Sequence, residues 1–285
     1  MTRASEREPG DPLLDDPALA EALAAVAANG RLSNERVRQM RASRRRALGT
    51  AGAAMLVLAI GGGGWLGLRP VPSVTEHYRT ARGQQLAVRL ADGSSLRLNG
   101  ATSLDVTLAH DHREVVLNGG EAFFDIAHDA RRPFEVAAGD VSARVLGTAF
   151  DLDRTTDQVK LGVFRGAVRF GGRSPGTHGV VVKQGWRSRY RDGAVDAPAS
   201  FDTDQQDWRQ GWLDTEGMRL TDMVEALNRG GGPLVLPPPP ALAALPIAGR
   251  FKLDDPARLL HAIGSAYGFS VVRDGQGLRL VPAAD

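Results

Sequence analysis

From Ala47 to Leu68 the chain carries no charged residue, and nothing else in the sequence limits its architecture so strongly. As a helix rising about 1.5 Å per residue, this stretch spans the roughly 30 Å hydrocarbon core of a bilayer. Gly61 to Gly64 and Gly67 lower its hydrophobicity. Gly63 and Gly67 also give the small-xxx-small spacing that lets two helices approach, although a weakly apolar single span is the plainer reading. The 46 residues before the run, largely polar, and the lack of a convincing small-x-small cleavage site after it, point to a signal anchor rather than a cleaved signal peptide.

Arginines give the span a direction. Seven precede it within residues 31–46 (Arg31, Arg36, Arg38, Arg41, Arg44, Arg45 and Arg46), against Arg69, Arg79 and Arg82 in residues 69–84. The positive-inside rule keeps the N-terminus cytoplasmic and exports the residues after Leu68, to the periplasm of a Gram-negative cell. The expected layout is a short cytoplasmic arm (1–46), a transmembrane helix (47–68), a β-rich exported domain (69–200) and a small C-terminal domain (201–285). In the arm, Leu19, Leu23 and Val26 have helical spacing, and Ser33 is placed to cap a second helix before Val37 and Met40. So small a piece buries no core alone, so it frays or folds on a partner. Cysteine is absent, which removes disulfides and thiolate metal sites, and a net charge of +2 with arginines gathered beside the span argues against direct nucleic-acid binding.

After Glu76 hydrophobicity alternates with period two. Leu86, Val88 and Leu90 lead to a turn at Asp92-Gly93, then Leu96 and Leu98, a hairpin signature. Short runs come next at Leu104–Leu108, Val115–Leu117, Ala122–Ile126, Phe134–Val136, Val141–Val145, Phe150–Leu152, Val159–Val163 and Val168–Phe170, with turns expected at Asn118-Gly119-Gly120, Gly139-Asp140 and Arg165-Gly166. The pattern predicts a mainly β domain: a sandwich, a roll or a β-solenoid.

Beyond a polar stretch at 201–211 the chain reads strand, helix, strand, strand, helix, strand, strand. Leu220, Val224 and Leu227 share one face of the first helix, which stops at Arg229 before Gly230-Gly231-Gly232. Asp255 caps the second, Pro256 opens it, and Leu259, Leu260, Ile263 and Tyr267 form its stripe. Strands are expected at Leu234–Leu236, Pro246–Ala248, Ser270–Val272 and Leu278–Val281, with Pro237–Pro240 as a stiff extended link. Trp208 and Trp212 read as packing residues rather than a ligand cage.

Six ordered motifs resemble those of the FecR family: Leu90-Ala91-Asp92-Gly93-Ser94, Leu98-Asn99-Gly100, Gly120-Glu121-Ala122-Phe123-Phe124-Asp125, Pro133-Phe134-Glu135-Val136, Val145-Leu146-Gly147-Thr148-Ala149-Phe150, and Gly166-Ala167-Val168 with Lys183-Gln184-Gly185 after it. The resemblance implies an inner-membrane regulator of an extracytoplasmic-function sigma factor, an anti-sigma factor controlled by a TonB-dependent receptor of the iron-complex type. It also implies that the C-terminal region resembles the small α/β domain of secretins and of TonB-dependent transducers, and so takes the receptor's signalling domain as partner. Family members usually carry a longer, tryptophan-containing sigma-binding arm, whereas residues 1–46 hold no tryptophan. A structural scaffold anchored to the membrane is the alternative.

No turnover enzyme is expected. The histidines are scattered, His110 and His112 read as turn residues without a third metal ligand, and no nucleophile elbow, Walker loop or dinucleotide glycine loop occurs. No cofactor or metal is expected. The resemblance implies one single-turnover possibility, since some family members split at the matching Gly-Thr pair: Gly147 and Thr148, where the threonine hydroxyl would attack the preceding carbonyl. A plain strand end relieved by Gly147 is the competing reading.

Overall fold

The computed structural model describes residues 74–174, 179–205 and 207–283, with Pro17, Ala18, Glu21 and Ala24 in helical conformation. No helix among these residues is long and apolar enough to cross a membrane. The expected span at 47–68, and nearly all of the expected arm, lie outside the described residues. Residues 71–285 form one compact unit.

The alternating segment folds as β1 (Val74–Arg79), β2 (Leu86–Arg89), β3 (Ser95–Leu98), β4 (Ser103–Leu108), β5 (Arg113–Asp125), β6 (Phe134–Ala138), β7 (Val141–Val145), β8 (Ala149–Arg154), β9 (Gln158–Arg165), β10 (Ala167–Gly172), β11 (Val180–Lys183), β12 (Trp186–Arg191), β13 (Ala194–Val195) and β14 (Ala199–Ser200). These make one 14-stranded sheet. The first half of β5 pairs with β4 and, in parallel, with β6; its second half pairs with β3 and β8. One strand thus carries the sheet from one half to the other, and both halves bury their alternate residues in a shared core. Phe124 and Phe150 stack there with centroids 5.0 Å apart. Among the three architectures the pattern allowed, this is a rolled sandwich and not a solenoid.

One expected turn is absent. Asn118-Gly119-Gly120 does not end a strand but lies inside β5, where Gly120 has φ +91° and a Cβ would stand 2.4 Å from Thr102 Oγ1. The Thr102 hydroxyl donates to the Glu121 carbonyl and accepts from its N–H, each at 3.1 Å, so glycine lets the strand bend where it changes half-sheets without losing its bonds. His110 and His112 do lie in a turn, between β4 and β5.

The rest has its own core. A short 3-10 turn (Trp208–Gln210) precedes β15 (Trp212–Asp214), β16 (Met218–Arg219), α1 (Leu220–Leu227), α2 (Pro240–Ala243), β17 (Pro246–Ile247), β18 (Arg250–Lys252), α3 (Pro256–Tyr267), β19 (Phe269–Asp274) and β20 (Gly277–Pro282). Strands pair as β15 with β18, β16 with β17 and β19 with β20, and Val235 bridges in parallel to Leu278. The Asp255 side chain accepts from Arg258 N at 3.0 Å and Pro256 opens α3, as the cap signature requires. The proline run is extended only as far as Pro239; Pro240 begins a helix, because proline lacks only an N–H that the first turn leaves unpaired anyway.

Candidate functional site

The outward face of β5 and β8 carries an unfavourable arrangement. Glu121 and Asp153 are direct cross-strand neighbours, and Asp151 lies opposite Phe123 on the same face. Two carboxylates side by side repel. The compensating charge comes from far along the chain: Arg229, just past α1, donates through Nη1 to Glu121 Oε2 at 2.9 Å and through Nη2 to Asp153 Oδ1. All three side chains are at most 10% exposed. Asn99 Nδ2 adds a bond to Glu121 Oε2 at 2.8 Å. The backbone seals the contact, with Gly83 N donating to Arg229 O at 2.8 Å and Arg82 Nε to Asn228 O at 2.7 Å. Gly100 is needed here, because a Cβ would lie 2.0 Å from Arg229 O.

A second clip flanks the first. Asp222, in the first turn of α1 and fully buried, accepts from Thr155 Oγ1 at 2.8 Å and from Arg191 Nη2 at 2.5 Å. Glu225 Oε2 accepts from Thr156 N at 3.0 Å. On the other side Trp208 Nε1 donates to Asp151 Oδ1 at 2.8 Å, Lys160 Nζ donates to the Asp214 carbonyl at 3.1 Å, and Arg187 pairs with Asp214 and Glu216. A cavity of about 100 Å³ lies among Asp151, Asp153, Lys160, Arg187 and Trp212. The C-terminal core is therefore fastened to the sheet by buried ions.

These ions titrate abnormally. Burial first, and then the Asp153 carboxylate, push Glu121 up to about 7, against Arg229, Asn99 and Lys160. Burial and the Glu121 carboxylate raise Asp151 well above the usual range. Burial also raises Asp222 and lowers Lys160. For Arg229 burial opposes the charge, but Asp153 and Glu121 outweigh it and raise the pKa. No group of three or more metal-ligating side chains occurs among the described residues.

Gly147 and Thr148 lie elsewhere, in the β7–β8 connection. Thr148 immediately precedes β8 and is five residues from Asp153, about 16 Å at the usual rise of an extended chain. Gly147 presses on His128, where a Cβ would come within 2.7 Å of the His128 Cα and 2.8 Å of Nδ1. Thr148 is 2% exposed, its hydroxyl donates to Ala167 O at 3.0 Å, and its carbonyl accepts from Ile126 N at 3.0 Å. Gly166, at φ +83°, covers this peptide, since a Cβ there would stand 3.1 Å from Thr148 Oγ1 and 3.3 Å from Gly147 O. Sequence reasoning singled out this pair and missed Arg229, Asp222, Glu121 and Asp153. Glu121 and Asp153 give a signal only once strand register is known. Asp222 gives one as a carboxylate in a helix that is otherwise largely buried.

Fold and site define a β-rich domain with a small α/β core clipped to its outer face by ion pairs. Residues 76–169 match the family model described as FecR protein. The match takes in about a third of the chain, the strands from β1 to β10. Two crystal structures of one protein from Parabacteroides distasonis ATCC 8503, described provisionally as an anti-sigma factor, share the fold. They were determined at 2.50 and 1.65 Å, and each has 20% identity and a TM-score of 0.66. They are covered over their whole length by 74% and 73% of this chain. No curated protein matches the sequence.

Proposed function

We propose that the chain is a single-pass inner-membrane regulator of an extracytoplasmic-function sigma factor. In this reading the arm at 1–46 meets the sigma factor, residues 47–68 cross the membrane, and the two exported cores receive a signal from a TonB-dependent outer-membrane receptor that imports an iron complex. The FecR match carries it. The arginine asymmetry around residues 47–68 supports the topology, and the paired strands of the C-terminal core offer edges on which a receptor signalling domain can add a strand. The likeness of that core to the domain of secretins and TonB-dependent transducers belongs to the same proposal. Arg229 supplies a way to pass the signal on, because a partner that pulls the C-terminal core away must expose Glu121 and Asp153 together. Alkaline phosphatase fused after Gly185 should be active and fused at Ser43 inactive. Purified C-terminal core should bind a receptor signalling domain; no binding up to about a millimolar, or less than about 4 kcal/mol, would favour the scaffold alternative.

We also infer that the Gly147–Thr148 bond can break without a protease. Thr148 Oγ would attack the Gly147 carbonyl, forming an ester and freeing the Thr148 amino group; water then yields a Gly147 carboxylate and restores the hydroxyl. The close His128 and the absence of a Cβ at Gly147 support it. Residues 71–285 should separate into two pieces on prolonged incubation, Thr148→Ser should still split, and Thr148→Ala should stay whole. An intact wild-type domain would end the idea.

A further inference from the structure

The outer face of the other half-sheet carries a row of charges that forms no ion pair among the described residues. Register places Glu114 beside Glu135, Glu135 beside Arg144, and Arg144 beside Arg169 on four adjacent strands, β5, β6, β7 and β10. Read across the sheet, the row is minus, minus, plus, plus. It is flanked by Thr107 on β4 and by Val181, 53% exposed, on β11. Like charges opposite one another destabilise a sheet, and the row contains two such pairs. Elsewhere on the same molecule the like pair of Glu121 and Asp153 is answered by Arg229. Here nothing answers: among the described residues none of the four side chains forms a hydrogen bond or ion pair, and both arginines are exposed. The adjoining row, Val116, Ala137, Ser142 and Gly171, carries no long side chain.

We propose that this face binds a second copy of the chain. The row is its own complement under a two-fold axis lying in the interface, parallel to the strands and between β6 and β7. That rotation carries minus, minus, plus, plus onto plus, plus, minus, minus. Glu135 of one copy then meets Arg144 of the other and Glu114 meets Arg169, each contact occurring twice, as an isologous interface requires. Thr107 falls opposite Val181 at the margins. A free anion is a poorer occupant, because Glu135 and Glu114 continue the row beside the arginines and repel it. Only a partner with the reversed order of charges satisfies all four side chains, and the chain itself supplies that order. The inference rests on strand register and is independent of any sigma factor or receptor.

The chain's own charges make the test. Full-length chain in detergent is examined by sedimentation velocity as wild type, as Arg144→Glu/Arg169→Glu (an all-acidic row), as Glu114→Arg/Glu135→Arg (an all-basic row), and as an equal mixture of the two variants, with circular dichroism confirming that each is folded. Wild type and mixture should be dimeric. Each variant alone should be monomeric, weakened at least about tenfold, and raising salt from about 0.05 M to about 0.5 M should dissociate wild type by screening. Four dimeric samples would mean that another contact, such as membrane helices meeting at Gly63 and Gly67, joins the copies, and would overturn the proposal. So would a monomeric wild type, or variants that fail to recover each other. An anion site alone would show as a monomeric wild type that binds inorganic phosphate and loses it in Arg144→Glu/Arg169→Glu.

Discussion

Replacing Arg229 by alanine isolates the fastening between the two cores of residues 71–285. The substitution leaves Glu121 and Asp153 adjacent, at most 10% exposed and without their cation. Removing one member of a buried ionic group costs about 3–5 kcal/mol. In a unit of this size each kcal/mol lowers the melting temperature by about 2–4 °C, so the loss comes to roughly 6–20 °C if the whole unit melts together. If the C-terminal core comes free first, an early transition appears instead and the 201–211 segment becomes sensitive to protease. Scanning calorimetry and limited proteolysis of residues 71–285 at pH 8 distinguish the two. The loss should shrink at pH 5.5, where one carboxylate takes up a proton and the repulsion falls. Arg229→Met combined with Glu121→Gln and Asp153→Asn should recover most of it, since a neutral group in the same volume leaves no buried charge unpaired. A loss below about 1 kcal/mol at pH 8, the size of an exposed ion pair, would mean that Arg229 does not hold the cores together.

Three further outcomes rest on the same geometry. Glu121 in the folded chain titrates near 7, above its ordinary 4.5, so its contribution to stability is full below about 4.5 and lost as pH rises through 7; Glu121→Gln should flatten the melting temperature between pH 5 and pH 8. Asp222→Ala strips Arg191 and Thr155 of a buried partner and should cost about 3–5 kcal/mol by urea unfolding, whereas an exposed control such as Asp111→Ala should leave the unfolding midpoint unchanged. Gly147→Ala forces a methyl against the His128 backbone and should destabilise the unit by about 1–3 kcal/mol in the same assay, even though Gly147 needs no left-handed conformation.

Period-two alternation was enough to find the strands from Leu86 to Phe170, because each buries one face in a shared core and must repeat every second residue. The C-terminal helices were legible for a similar reason: Asp255 and Pro256 fix the start of α3, and Leu220, Val224 and Leu227 fix the face of α1. Local signals failed where distant contacts decide. Gly119 and Gly120 look like a turn, but Thr102 on a neighbouring strand turns them into a bend within β5. Pro240 looks like the end of a rigid link, yet it opens a helical turn. Arg229 looks like the last residue before a glycine stop. That it neutralises Glu121, 108 positions earlier, is fixed only by register and packing.

The proposed regulation of a sigma factor is tested most directly through residues 1–46. Full-length chain and a version lacking residues 1–46 are each expressed in the native host and solubilised, and co-purifying proteins are probed for extracytoplasmic-function sigma factors. A sigma factor should accompany the full chain and be lost with the arm. Equal recovery from both forms, or a full chain that brings none, would contradict the proposed role.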